Sequence, residues 1–153
     1  MYSVIEKVIF LQDIDVFKDV KVEDLAHLAV IAEEVSFLSG TALYEMNDSP
    51  DALYIVVAGK VRLHRNGQEI AVVGTREAVG AWSLFDDEPR VATATALEDT
   101  EALRIERDDF YDILSDHVRI AEAVLKSMAR RLKSLTNLIQ QPASALPNMK
   151  SET

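Results

Sequence analysis

The side chains best placed to do chemistry lie between Gly80 and Ala92. Gly80 is followed by the short segment Ala81-Trp82-Ser83-Leu84-Phe85, the acidic run Asp86-Asp87-Glu88, and Pro89-Arg90 entering the alternating Val91-Ala92-Thr93-Ala94-Thr95. A guanidinium presents N–H donors in a planar fork that matches a two-oxygen anionic group, which lysine's ammonium does not. One helical turn after Gly80 would aim backbone N–H groups at the same anion. Arg90 therefore has two readings: a contact to a bound anion, or a surface ion pair with Asp86, Asp87 or Glu88. Trp82 also has two, as core filler or as a stacking platform.

Other chemistries find little support. His27, His64 and His117 are isolated and fall on different expected elements, whereas a barrel metalloenzyme needs histidines clustered with a carboxylate. The chain has no cysteine, no Ser-His-Asp spacing and no glycine-rich phosphate loop, so the expectation is a protein that is not an enzyme and carries no cofactor. A formal charge of −10 opposes the counterion release on which non-specific nucleic-acid binding rests, so no nucleic-acid partner is expected. No leader pattern stands at the N-terminus and no run of about 18 apolar residues occurs, which leads to the expectation of a cytoplasmic protein without a membrane span.

The elements that would hold this stretch follow from periodicity. In the first 34 residues Val4, Val8 and Leu11 share one helical face, and Leu25, Leu28 and Ile31 another, with Phe17 to Leu25 read as a turn into a capped helix start. From Val35 the period drops to two: Val35–Leu38, Leu43–Glu45, Ala52–Val57, Val61–Arg65, Gln68–Val73, Val91–Ala96 and Glu101–Ile105 read as strands of a set of about eight. Asn66-Gly67 marks a type I′ hairpin, because both central positions need positive φ. The helical period returns at Arg107, with Asp108 as expected cap of a short helix bearing Phe110, Ile113 and Leu114. The expected architecture is mainly β with flanking helices: a jelly roll, or β-roll, with N-terminal helices and a C-terminal helix pair. One domain over residues 1–140 and a disordered tail over 141–153 are expected.

The Gly80–Arg90 stretch resembles the phosphate-binding cassette of cyclic-nucleotide-binding domains, which reads roughly Phe-Gly-Glu-Leu-Ala-Leu, a few polar residues, then Pro-Arg-Ser/Ala-Ala. The likeness covers roughly Phe10 to Ile139 and includes Gly40, Gly59 and the run Ala52–Val61. It implies a non-enzymatic regulatory or sensory module of signal transduction, with cAMP or cGMP as candidate ligand and Gly80, Ala81, Trp82, Ser83, Leu84, Pro89, Arg90, Val91 and Ala92 as its phosphate and ribose cassette. The departures are Ala81, where the family keeps the glutamate that accepts the ribose 2′-OH, and Val91, where it often has Ser, Thr or Ala. Losing the acceptor for a desolvated hydroxyl costs about 1–3 kcal/mol or more, roughly fivefold to 150-fold or more in affinity. Trp82 replaces a typical leucine and would fill part of the ribose space. The resemblance thus implies binding that is weak or absent; the alternative is a ligand-free interaction and dimerisation scaffold.

The last helix offers an a/d seam of Val118, Ala121, Leu125, Met128, Leu132, Leu135 and Ile139. It either packs back onto the roll or pairs with the same helix of a second copy, and the homodimer is preferred from the resemblance to dimeric catabolite activators. Those activators carry a winged helix-turn-helix beyond this helix, for which this sequence is too short. Lys126, Arg130, Arg131 and Lys133 read as complements to the helix C-terminal dipole.

Overall fold

The computed structural model describes residues 1–140, so the expected disordered tail lies outside the described residues. Helix α1 (Val4–Gln12) opens on a capping box, in which the Ser3 hydroxyl accepts from the Glu6 amide and the Glu6 carboxylate accepts from the Ser3 amide. Val8 and Leu11 turn inward, while Val4 is exposed. A 3₁₀ turn (Asp15–Phe17) leads to α2 (Val22–Ile31). The capped start expected for α2 is corrected: Lys21 takes the N-cap position without a side-chain bond, and Glu23 and Asp24 supply negative charge to the first turn.

Eight strands follow in two antiparallel sheets, β1-β8-β3-β6 and β2-β7-β4-β5. They are β1 (Glu33–Phe37), β2 (Ala42–Tyr44), β3 (Ala52–Ala58), β4 (Val61–Arg65), β5 (Gln68–Val73), β6 (Ala78–Val79), β7 (Thr93–Ala96) and β8 (Thr100–Glu106). The run at Ala52–Val57 is apolar without alternation because β3 is buried on both faces. Leu53, Ile55 and Val57 join Leu103 and Ile105 of β8 against the helices, whereas Ala52, Tyr54 and Val56 face the inside of the roll with Val61, Ala94 and Ala102. The β4–β5 hairpin turns at Asn66 (φ +52°) and Gly67 (φ +78°), as a type I′ turn requires.

Two boundaries differ from the sequence reading. The strand expected from Val91 begins only at Thr93, because the preceding loop is tied sideways to residues 47 and 48 rather than laddered to β4. The cap expected at Asp108 is not one: α3 (Arg107–Asp116) runs straight on from β8 with Glu106 at its N-cap, leaving Asp108 inside the first turn.

Helix α4 (Val118–Gln140) buries Ile120, Ala123, Val124 and Ser127, with Met128 half-buried against the helical core. Of the expected seam, Met128 packs against the helical core and Ala121 is half-buried, whereas Val118, Leu125, Leu132, Leu135 and Ile139 are exposed, so the seam as a whole does not pack back as ordinary core. From Ala129 to Ile139 every residue is exposed. A helix that buries apolar side chains only in its first half leaves its second apolar stripe facing away from the domain.

Candidate functional site

Arg90 is set by the loop that carries it. Its amide donates to the Asp48 carbonyl (2.8 Å), and its own carbonyl accepts from the Asn47 amide (2.8 Å), so both sides of the peptide are pinned to the β2–β3 connection. The side chain is driven inward to 2% exposure. Nη2 donates to the carbonyl of Ala52, Nη1 to that of Gly80 (3.3 Å), and the guanidinium carbon lies 4.0 Å from the centroid of the Tyr44 ring. The nearest carboxylate is that of the exposed Asp51, at 3.9 Å. The alternative partners Asp86, Asp87 and Glu88 are engaged elsewhere or not at all: Asp87 pairs with Arg107, and Asp86 accepts from the Glu88 amide. Buried Nε has no partner. A buried cation with one distant counter-ion and an unpaired donor is expensive unless something else completes it.

Gly80 and Arg90 require one another. Gly80 has φ +80°, and a Cβ there would run into the Arg90 guanidinium. A cavity of about 570 Å³ opens beside this pair. Of the residues singled out from sequence, Gly80, Ala81, Trp82, Ser83, Arg90, Val91 and Ala92 line it together. Leu84 and Pro89 do not: Leu84 is fully buried in the helical core with its carbonyl accepting from the Tyr111 hydroxyl, and Pro89 is exposed. The segment after Gly80 is only a three-residue 3₁₀ turn, Trp82–Leu84.

Ala81 is 8% exposed and belongs to the helical core as well as to the cavity wall, so its methyl continues apolar surface where the resemblance places a carboxylate. Leu63, Ile70, Asp13 to Val16, Arg76 to Val79 and Tyr44, which stacks on Arg90, complete the lining. Burial pushes the Tyr44 hydroxyl above its ordinary range, with the Arg90 charge pulling the other way. Arg76 sits at φ +71°, rare for a residue with a side chain, and pairs with Asp13 at 3.1 Å across the mouth. None of these wall residues was singled out from sequence. Leu63 and Ile70 could have been reached from the hairpin register; Arg76, in a Gly-Thr-Arg turn, carries no signal of a positive φ.

Trp82 corrects the expectation of core filler, being 37% exposed. Its ring lies between the cavity and a smaller recess against α4, with Arg131 5.3 Å from its centroid. Arg131 also reaches Asp15 (3.3 Å), and Arg130 reaches Asp19 (2.7 Å). These arginines therefore tie α4 to the 3₁₀ turn at Asp15 and to Asp19 just after it, rather than merely balancing the helix dipole. The histidines also need correction, since the His27 and His117 rings stack at 4.0 Å. His64 stands apart, bonded to the Thr95 hydroxyl at 2.8 Å. Among the described residues no three histidine, aspartate or glutamate side chains converge as a metal ion would need.

The chain is a β-roll flanked by helices, with Gly80 and Arg90 side by side in the wall of its cavity. The family model described as "Cyclic nucleotide-binding domain" matches residues 34–117, and this chain belongs to that family. It is 30% identical over 127 residues to a CRP-like cAMP-activated global transcriptional regulator of Mycobacterium tuberculosis, covering 80% of this chain and 57% of that one. Among solved structures it is similar to the N-terminal domain of a transcriptional regulator from Streptomyces coelicolor (TM-score 0.79, 34% identity, covering 87% and 96% of the two chains). It is also similar to the regulatory domain of Toxoplasma gondii PKA solved with cAMP (TM-score 0.67, 27% identity, covering 73% and 45%). The chain thus spans little more than half the length of its curated bacterial relative. These relatives are regulators, and no helix among the described residues is long and apolar enough to cross a membrane.

Proposed function

We propose that this chain is a non-enzymatic, cytoplasmic sensory module whose cavity takes a cyclic nucleotide or related phosphate-bearing ligand, with affinity weakened by Ala81. The observation that carries the reading is Arg90: buried, stacked on Tyr44, lining the cavity, and holding an unpartnered Nε. A phosphodiester there would supply the missing acceptor and counter-charge together. Ala81 supplies no acceptor to a 2′-hydroxyl, and Val91 no hydroxyl to phosphate. Trp82 then connects occupancy to α4 through Arg131 and Asp15.

Titration with cAMP and cGMP, followed by the fluorescence of the single tryptophan and by calorimetry, tests the reading. Saturable binding that is lost in Arg90→Ala supports it, and no heat or fluorescence change at millimolar nucleotide refutes it. The second reading, a ligand-free scaffold, is favoured by one feature, the exposed stripe of Leu125, Leu132, Leu135 and Ile139, which fits a homodimer built on α4. Dimerisation is compatible with either reading.

A further inference from the structure

We infer that the cavity selects a monoanion with an apolar body, a class in which a sugar hydroxyl is a handicap rather than a recognition element. The inference rests on the reading of Arg90 as the anion contact. Arg90 lines the cavity and uses two of a guanidinium's five N–H groups on the carbonyls of Gly80 and Ala52, so three remain without a protein acceptor, the buried Nε–H among them. That leaves room for one two-oxygen group, carboxylate or phosphodiester alike.

The remainder of the wall sets what the body must be. Leu63, Ile70, Val79, Ala81, Val91 and Ala92 present hydrocarbon around the space next to Arg90. The three carboxylates of the lining are committed: Asp13 to Arg76 (3.1 Å), Asp15 to Lys18 and Arg131 (3.2 and 3.3 Å), and Glu77 to the Gly74 amide (2.8 Å). Only Asp15 engages both oxygens, and the charge of all three disfavours a second anionic group on the ligand. Against this hydrocarbon part of the wall a polar body would lose water without regaining its hydrogen bonds, whereas a methylene gains by leaving water.

The test uses the full chain and the Trp82 signal, confirmed by calorimetry. Straight-chain carboxylates from butanoate to octanoate should bind with affinity rising by roughly fourfold for each methylene buried. Octanol, the same tail without charge, should bind at least about tenfold more weakly than octanoate. 2′-Deoxy-cAMP should bind at least as tightly as cAMP, and octanoate should displace either. Ile70→Asp, a change at an exposed edge-strand position, should lower octanoate affinity about tenfold or more while the urea midpoint stays in place. Affinity independent of chain length, unchanged octanoate binding in Ile70→Asp, or cAMP binding much more tightly than its 2′-deoxy analogue overturns the inference while leaving the anion site standing. Failure of carboxylates and cyclic nucleotides alike overturns both the inference and the site on which it rests.

Discussion

Replacing Ala81 by glutamate should convert a poor cAMP site into a better one. Ala81 directly follows Gly80, whose carbonyl already accepts from Arg90, and its methyl stands in the cavity wall. A carboxylate there can accept the ribose 2′-OH, and a hydrogen bond to a charged group contributes about 1.5–3 kcal/mol, so cAMP affinity should rise about tenfold to 150-fold. The same carboxylate is costly when no ligand is present, because Ala81 is part of the apolar core shared with Leu84 and Phe110. The free variant should therefore lose about 1–3 kcal/mol of stability, most of it regained when saturating cAMP binds the folded state. Calorimetric titration of both proteins with cAMP, beside urea unfolding with and without nucleotide, reads each half. A folded variant with unchanged cAMP affinity would refute the assignment of Ala81 to the ribose edge.

Other perturbations separate scaffold from site. Leu132→Asp should reduce the scattering mass from two 17.0 kDa chains to one and make the unfolding midpoint independent of protein concentration while the chain stays folded, since Leu132 is 65% exposed in the single chain. A monomeric wild-type protein would contradict the α4 dimer. Gly80→Ala should destabilise by about 1–3 kcal/mol, because it combines a positive φ with a clash against Arg90, and should abolish ligand binding. Retained binding at wild-type stability would show that the pair is not coupled. Tyr44 keeps its proton above the ordinary 10.0, chiefly because burial disfavours the phenolate. Its stabilising contribution is therefore intact below that pH and lost as pH rises through the elevated folded value. Urea midpoints between about pH 8 and 11 should fall less steeply in Tyr44→Phe than in wild type, and identical slopes would contradict this.

What was legible in the sequence had a local cause. The Asn66-Gly67 turn, the apolar run of β3 and the spacing from Gly80 to Arg90 each reflect constraints on a few neighbouring residues, and each led to the right place in the roll. The misread features depend on residues remote in the chain. Arg90 was open to pairing with its acidic neighbours until Asp48, Ala52 and Tyr44 fixed it inward. Trp82 looked like filler because nothing nearby shows that Arg131, 49 positions on, reaches its ring. The seam through Leu125 and Leu132 was open to packing back or to pairing with a second copy, and only the burial of Ile120, Val124 and Ser127 shows which face of the helix is covered. Arg76 was missed because a left-handed arginine is imposed by the turn before β6 and has no residue signature.

The central claim, that Arg90 holds a bound anion with its free Nε, is tested most directly by following the Arg90 side-chain resonance in ¹⁵N-labelled protein, assigned by its loss in Arg90→Lys. Addition of cAMP should move the Nε–H signal to lower field and protect it from exchange, along the same binding curve as the Trp82 fluorescence. A Trp82 response with an unmoved Arg90 Nε–H would contradict the account, placing the ligand elsewhere on the domain.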